Sequence, residues 1–595
     1  MYTLTPATIP LVVSLLLLPL WSSGQDVGAV LEDVTSIRDQ KLDISGGINL
    51  NSNFYGASGI DPRRDNFQWG VRANLNFSFL GISAPFSLAF SDANRNFNLP
   101  SYTFTGISPT YRWATLHAGD RSMGFSKYSM SGISFRGLGL ELRPGKWQVA
   151  TFYGKLNRAL ATDLNAVGDL NGFYRRDGYG LKVGYGDQNF SYSLNFFSAN
   201  DREDETQIND LGDALRPINN KVVSLEGRQR LTKHLSLATE VAHSVFNGDK
   251  TSTELIDGNR TVFNTFFGLQ EATQSVQTGF AGNLGLFYNA NRLGLQLNYE
   301  RISRGFRTLG ALFFNNDTDN LTAGVSYSFL EGKLSTFVNG GLERTNIGDI
   351  EDQTTDRVIG SVNVNYLPND KWSLNTSYSN FRNDTKLRAM TEVARPVDSI
   401  FLAQVTQNGS VVVNRRLGSK QRPASLALVL NHQRANSIVN DTVNTDSRSR
   451  FTTAALNYSG GVPSAKLRWN AGVSVNFTDV GSISNRALAP TVGLSKSFLN
   501  NALSTYLRGS MNFVRATGMD AGDVLNLGLG ATYRLKNSHR ITLASNLLNR
   551  FGAAEASRNF SEYYGQIGYG YNFGGSIGLR RRTQPPVATD FNKKK

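Results

Sequence analysis

The sequence has 595 residues, of which 40% are hydrophobic, and it contains no cysteine, so disulfide bonds and thiolate metal sites are excluded. The chain is longer than an ordinary soluble domain, yet no Pro- or Ser-rich linker divides it. The formal net charge is +14, but the Arg and Lys residues are dispersed and cluster only in the C-terminal tail. This distribution argues against a nucleic-acid-binding protein.

The one long apolar run, IPLVVSLLLLPLW, lies at the N-terminus and is followed by the small residues Ser22, Ser23 and Gly24. This order predicts a secretory signal peptide at 1–24, and the alternative is an uncleaved N-terminal anchor. The mean hydropathy is -0.28, and no other segment approaches the roughly 18 apolar residues that a transmembrane helix needs.

From about residue 42 onward, apolar and polar residues alternate. In 467–478, LRWNAGVSVNFT, every odd-numbered residue is apolar and every even-numbered residue is polar or glycine. The stretches 293–300, 503–513 and 525–535 show the same period. A strand with this pattern has one apolar face and one wet face. Sandwich strands usually have five or six residues, whereas a tilted strand needs about nine to eleven to cross a bilayer, so the pattern favours membrane strands.

Short polar turns join the predicted strands in pairs, for example at 143–146, 289–292 and 331–333, which indicates consecutive antiparallel hairpins. The opposite connections are longer, and 201–213 and 348–356 are acidic. A first count gives 24 strands, but the strand directions clash near residues 100 and 410. Adding short strands at 99–105 and 407–417 removes both clashes and makes about 26 strands, within a range of 22–26.

These features resemble the Gram-negative bacterial outer-membrane β-barrel proteins, whose short turns face the periplasm and whose long loops face outward. The expected fold is all-β, a single large antiparallel transmembrane β-barrel over residues 42–573 in the cell outer membrane. Tyr569, Tyr571 and Phe573 share one face of the last strand, which is similar to the aromatic-ended terminal strand that the barrel-assembly machinery recognises in this class. The resemblance also implies outer-membrane lipid and lipopolysaccharide as partners.

The two termini are expected to lie outside the barrel wall. Residues 25–41 carry apolar side chains with helical spacing and form either a short helix in the lumen or a disordered periplasmic leader. Residues 574–595 are a basic periplasmic tail with the clusters RRR at 580–582 and KKK at 593–595. The tail meets anionic headgroups, peptidoglycan or a lipoprotein or periplasmic partner, or it hangs free.

A ring of 26 strands is roughly 50 Å across, so something must fill or cover its lumen. The 17 residues before the first strand are too few for the plug of a TonB-dependent receptor. The segment GDRSMGFSKYSMSG, 119–132, is the better candidate because its terminal glycines allow sharp turns. Asp120, Arg121, Lys127 and Tyr128 would then form a pore constriction. The alternative is an ordinary surface loop.

Alternation also assigns charged residues to the lumen. The basic set is Arg228, Arg230, Arg468, Arg508 and Arg534, and the acidic set is Glu226, Glu240 and Glu300. A basic lumen would favour anionic solutes or polymers. The alternative is a cross-strand ladder in which these charges only pair with one another along the barrel wall.

Catalytic and metal motifs are weak. The five histidines lie far apart and none belongs to a metal-binding pattern, so no enzyme, no cofactor and no metal site is predicted, although a Ser and a His could still meet in space. The acidic segment 201–213 lacks the glycine-turned spacing of a Ca²⁺ loop.

Three function classes remain. The first is a channel for solutes or a polymer that its own loops occlude. The second is the barrel subunit of a larger secretion or assembly complex whose partner covers the lumen. The third is a surface-exposed protein that binds glycan or protein through loops such as 247–276 and 383–406 and uses the barrel as an anchor.

Overall fold

A computed structural model describes residues 41–92, 104–159, 174–202, 216–254, 273–311, 315–348, 353–387, 400–439, 442–517, 521–536, 538–553 and 558–578. All strands in these ranges belong to one sheet, and neighbouring strands are antiparallel. The predicted signal peptide, the leader before residue 41, most of the acidic segments and the tail after residue 578 lie outside the described residues.

The strands of the first half are β1 (Lys41–Ser58), β2 (Phe67–Phe79), β3 (Ile82–Ser91), β4 (Phe104–Ile107), β5 (Thr110–Tyr111), β6 (Ala114–Ser122), β7 (Ser134–Leu142), β8 (Trp147–Asn157), β9 (Arg176–Gly186), β10 (Phe190–Asp201), β11 (Asn219–Arg230), β12 (Leu235–Asn247), β13 (Val276–Ala290) and β14 (Leu293–Ile302). Those of the second half are β15 (Thr318–Phe329), β16 (Leu334–Thr345), β17 (Gln353–Asn369), β18 (Trp372–Leu387), β19 (Ile400–Gly418), β20 (Pro423–Val439), β21 (Thr442–Val462), β22 (Leu467–Val480), β23 (Ile483–Phe498), β24 (Leu503–Ala516), β25 (Ala521–Leu535), β26 (His539–Ala553) and β27 (Phe560–Gly578). Short 3-10 turns occupy Leu330–Gly332, Pro463–Ala465 and Leu499–Asn501.

The sheet closes on itself because β1 pairs with β27 over 18 residue pairs, from Lys41 opposite Gly578 to Ser58 opposite Ser561. This pairing runs five residues beyond the predicted barrel end at 573. A closed ring leaves no unpaired edge, which is the condition for a sheet to lie in lipid.

The ring has 26 strands, as predicted, because β4 and β5 are two halves of one interrupted strand. Both halves lie between β3 and β6. The interruption falls at Ser108 and Pro109, and proline lacks the N–H that a ladder needs. The predicted strand at 99–105 is therefore displaced toward 104–111, and its first residues lie outside the described ranges. The other added strand, 407–417, is confirmed within β19.

The predicted hairpin turns at 143–146, 289–292 and 331–333 all join consecutive strands. On the opposite side, long connections are concentrated in the first half of the chain. In the second half, only two residues separate β20 from β21 and β22 from β23. The difference in connection length is thus real but does not hold all the way around the barrel.

The outer face of the barrel is apolar and exposed. Leu138, Tyr153 and Val492 are 61%, 57% and 62% exposed, although each lies in the middle of a paired strand. Large apolar side chains so placed on a closed sheet indicate contact with lipid. Trp147 and Trp372 lie beside the short turns, as interfacial aromatic residues do. No helix in the described ranges is long and apolar enough to cross a membrane.

Candidate functional site in the barrel lumen

The connection between β6 and β7, residues 123–133, folds into the lumen; we call it the inner loop. Gly119 in β6 and Gly132 near the end of the inner loop have positive φ angles of 91° and 75°, which L side chains rarely adopt. Met123, Phe125, Tyr128 and Met130 of this segment are buried. This buried segment lies within the predicted range 119–132, and its role as a pore constriction stays a prediction.

The apolar residues of the inner loop pack against the inner face of the wall. The residues that form this single buried cluster are Met123, Phe125, Tyr128, Met130, Phe135, Ala150, Phe152, Phe197, Ala199, Val222, Ala242, Ala281, Ile302 and Phe306. The wall members alternate with exposed residues such as Leu225 and Val241, which face outward. The inner faces of strands from β7 to β14 therefore surround the inner loop with a core of the kind found inside soluble domains.

The tip of the inner loop is held by Glu300 on β14. Lys127 Nζ lies 2.5 Å from Glu300 Oε1, and the Tyr128 hydroxyl donates to the same oxygen at 2.6 Å. Asn283 Nδ2 donates to the Tyr128 hydroxyl at 3.1 Å. Burial and the hydrogen bond to Glu300 raise the pKa of Tyr128 above its ordinary value. The phenol therefore stays protonated and keeps donating to the carboxylate across the physiological pH range.

A second set of polar contacts ties the inner loop to β9, β11 and β12. Lys182 Nζ donates to the Phe125 carbonyl oxygen at 2.6 Å and forms an ion pair with Glu226 at 3.3 Å. The Tyr128 N–H donates to Glu240 Oε1 at 3.3 Å. The acidic residues assigned to the lumen thus hold the inner loop in place, because each accepts from it or from the lysine that binds it.

The segment after β14, residues 303–311, also enters the lumen and covers the inner loop; we call it the bracing segment. Thr308 Oγ1 donates to the Ser129 carbonyl oxygen at 2.8 Å, and the Ser131 N–H donates to the Gly310 carbonyl oxygen at 2.8 Å. Phe306 is fully buried, with its ring edge against Tyr128 at a centroid distance of 5.9 Å.

The bracing segment is itself bound to the wall by Asn220 of β11. Its Nδ2 donates to the Arg307 carbonyl oxygen at 3.0 Å, and its Oδ1 accepts from the Leu309 N–H at 3.1 Å. No sequence pattern predicted that this segment enters the lumen. The available signal was the pair of apolar residues Phe306 and Leu309, placed between Gly305 and Gly310 in a connection expected to be polar.

Two predicted constriction residues lie in β6 instead of the loop. Arg136 donates to both carboxylate oxygens of Asp120, at 2.7 and 2.8 Å, and shares the outward face of β7 with Leu138. Asp120 therefore lies on the outer face of the wall, which corrects the expectation that it lines the pore. Arg121 lies on the inner face, where its Nη1 donates to Ser87 Oγ at 2.8 Å.

The predicted lumen arginines fall into two groups. Arg228 and Arg230 share the inner face of β11 with Glu226, and Arg230 Nη2 donates to a turn carbonyl at 3.2 Å. The others lie on the wall from β22 to β27. By alternation, the charged residues on the described inner face of those six strands are Arg468, Arg508, Arg534, Arg540, Arg550 and Glu562. This part of the lumen is therefore strongly basic.

The terminal-strand aromatic residues lie in β27 near the short-turn side. Tyr571 is stacked between Phe573 and His539 at centroid distances of 5.3 and 4.6 Å. His539 Nδ1 lies 2.8 Å from the Tyr569 hydroxyl. The three residues form part of an aromatic cluster at one end of the barrel, and their role in insertion stays a prediction.

A serine and a histidine do meet in the lumen. Ser108 Oγ lies 2.9 Å from His117 Nδ1, and His117 Nε2 lies 3.6 Å from Glu141 Oε1. The second distance exceeds a hydrogen bond, and Glu141 also pairs with Arg143 at 3.0 Å. We expect no covalent labelling of the purified protein by a fluorophosphonate and no change in conductance in the variant Ser108→Ala. Labelling that the variant abolishes would contradict the prediction that the protein is not an enzyme.

No group of three or more acidic, His or Cys side chains in the described ranges is placed to hold a metal ion. The expectation that the protein needs no cofactor stays a prediction.

Neither a protein-family model nor a curated protein sequence matches the chain. Solved structures are similar at low identity. The P pilus usher (PapC) translocation pore is 12% identical, with 90% of this chain and 100% of that chain covered and a TM-score of 0.37. BauA, the ferric preacinetobactin receptor from Acinetobacter baumannii, is 12% identical, with 89% and 80% covered and a TM-score of 0.37.

The outer membrane protein OprD from Pseudomonas aeruginosa is 11% identical, with 62% of this chain and 88% of that chain covered and a TM-score of 0.29. Such likenesses give no indication of what this chain carries or binds. On its own strand pairing, the chain is a closed antiparallel β-barrel of 26 strands with the inner loop and the bracing segment folded into its lumen.

Proposed function

We propose that the protein is an outer-membrane channel whose lumen is narrowed by its own inner loop and which passes anionic, water-soluble molecules. The observation that carries this proposal is the buried cluster between the inner loop and the wall from β7 to β14. A packed core with directed hydrogen bonds holds a segment in one place, as a constriction must be held. Lys127 and Arg121, the predicted residues on the lumen side, then lie beside the passage.

The preference for anions rests on the opposite part of the wall. The inner face from β22 to β27 carries five arginines and one glutamate among its described charged residues. Arg534 and Arg540 lie directly opposite each other in the strand register. Positive charge concentrated along a water-filled passage raises the local concentration of anions and lowers that of cations.

The proposed location requires export and insertion. Residues 1–24 would direct the chain across the inner membrane, and the aromatic terminal strand would be recognised by the barrel-assembly machinery. Outer-membrane lipid and lipopolysaccharide would surround the exposed apolar face that Leu138 and Val492 exemplify.

A barrel subunit of a larger complex is the second candidate. The buried cluster draws only on wall strands from β7 to β14, which is one arc of a ring of 26 strands. A partner that covers the rest of the lumen would be compatible with this arrangement. Extraction in mild detergent followed by identification of co-purifying lipoproteins or periplasmic proteins tests it. The surface-binding alternative predicts neither conductance nor such a partner.

We expect the purified protein to produce stepwise conductance in planar bilayers, with a reversal potential shifted toward the chloride equilibrium potential in a KCl gradient. The basic wall is the reason for the anion preference. Absence of conductance steps from correctly folded protein would contradict the channel, and a cation-selective reversal potential would contradict the role of the arginines.

A further inference from the structure

A cavity of about 900 Å³ lies between the β1–β2 connection, residues 59–66, and the inner face of β22–β27. Its volume falls within the range of small-molecule sites, roughly 300–1,000 Å³. It is lined by elements that the buried cluster of the inner loop does not use, so it is a separate feature of the lumen. We call it the arginine pocket.

Two arginines of the connection reach into the arginine pocket. Arg63 Nη1 lies 3.5 Å from Glu562 Oε2, and its guanidinium carbon lies 5.2 Å from the centroid of the Phe560 ring. The Arg64 guanidinium lies over the Tyr564 ring at 5.6 Å. Both contacts fix the connection against β27 and still leave N–H donors for a ligand, since a guanidinium has five. The Arg63 side chain is 60% exposed, so a solute can reach it.

The wall of the arginine pocket adds a third guanidinium. Arg508 Nη2 donates to Asn546 Oδ1 at 2.9 Å. Gly528 makes room for it, because a Cβ at that position would lie 2.6 Å from Arg508 Nε. Asn526 Nδ2 donates to Ser510 Oγ at 3.4 Å beside it. The lining thus combines cations with amide and hydroxyl groups that both donate and accept hydrogen bonds.

The charge of the arginine pocket is unbalanced. Three guanidinium groups, those of Arg63, Arg64 and Arg508, face one carboxylate, that of Glu562, which leaves a surplus of two positive charges. Guanidinium forks bind carboxylate and phosphate oxygens through paired hydrogen bonds. Amides and hydroxyls match the hydroxyl groups of a sugar. We infer that the arginine pocket binds an acidic sugar, that is, a saccharide bearing carboxylate or phosphate groups.

This inference deepens the proposed function, because it names a solute class for the same lumen, but binding does not require conduction. The test is isothermal titration calorimetry of the full-length protein in detergent micelles. The probes are a digalacturonate for the carboxylate, glucose 6-phosphate for the phosphate, and maltose as the neutral sugar. The variants are Arg508→Gln and Arg64→Gln. The control is Arg486→Gln, an exposed arginine on the outward face of β23.

We expect at least one acidic probe to bind about tenfold more tightly than maltose, and each pocket variant to weaken that binding about tenfold, with the control unchanged. Preference for one acidic probe identifies the anionic group. Equal binding of maltose, unchanged binding in both pocket variants, or no binding of either acid would overturn the inference. Binding without conductance would contradict the proposed channel and support the arginine pocket. Conductance without binding would overturn the arginine pocket and leave the proposed channel standing.

Discussion

Deletion of residues 124–131 is expected to raise the single-channel conductance about twofold or more, because it removes most of the inner loop from the lumen. The flanking strands keep their pairing, since Ser122 and Ser134 lie opposite each other outside the deletion. Arg121 is retained because it belongs to β6 and is bonded to Ser87. Single-channel recording in planar bilayers measures the effect.

A point variant tests the same idea at constant chain length. Glu300→Gln weakens the contacts of Lys127 and Tyr128 and is expected to increase open-channel noise and mean conductance. The matched control is Asp319→Asn, which removes a carboxylate that pairs with Arg301 at 2.7 Å. The Tyr299 hydroxyl also donates to Asp319, and both partners, Arg301 and Tyr299, lie on the outward face of β14. Conductance equal to that of the parent protein in the deletion variant would contradict a constricting role for the inner loop.

The variant Gly310→Val is expected to separate the bracing segment from the inner loop. A Cβ at Gly310 would lie 2.0 Å from the Ser129 carbonyl oxygen, which is backbone and has no freedom to rotate away. The Ser131 to Gly310 hydrogen bond would then be lost. Lys127 is a trypsin site in the inner loop, so cleavage there should accelerate about tenfold or more as the loop opens locally.

The control for this variant is Gly360→Val, because no atom lies within 4 Å of a Cβ built there. Valine also suits a strand, so β17 should tolerate it. Cleavage is followed by gel electrophoresis of the folded protein, with conductance recorded in parallel. Equal resistance of both variants to trypsin at Lys127 would show that the bracing segment does not hold the inner loop.

The alternation of residues was enough to predict the barrel, because lipid on one side and water on the other impose a period of two on every strand. The stretch 467–478 shows this directly. Its residues fall in β22, and Val473 and Phe477 are exposed on the outer face. Local rules also indicated the inner loop, since glycines that permit positive φ lie in the strand before it and near its end.

What holds the inner loop could not be predicted in the same way. Lys127 and Glu300 are 173 positions apart, and no local pattern links them. The bracing segment was missed for a similar reason, because its role comes from contacts across the lumen. Asp120 was assigned to the wrong face because the loop was expected to begin at Gly119, whereas pairing with β7 continues to Ser122.

The strands of the barrel differ greatly in length, and the longest described ones lie in the second half of the chain. β21 has 21 residues and β6 has nine, so at about 3.4 Å per residue the longer strand extends roughly 40 Å further along its own direction. Outward residues just past the middle of β20 are polar, as His432 and Arg434 show. The described hairpin of β20 and β21 therefore continues as paired backbone beyond the apolar band that faces lipid.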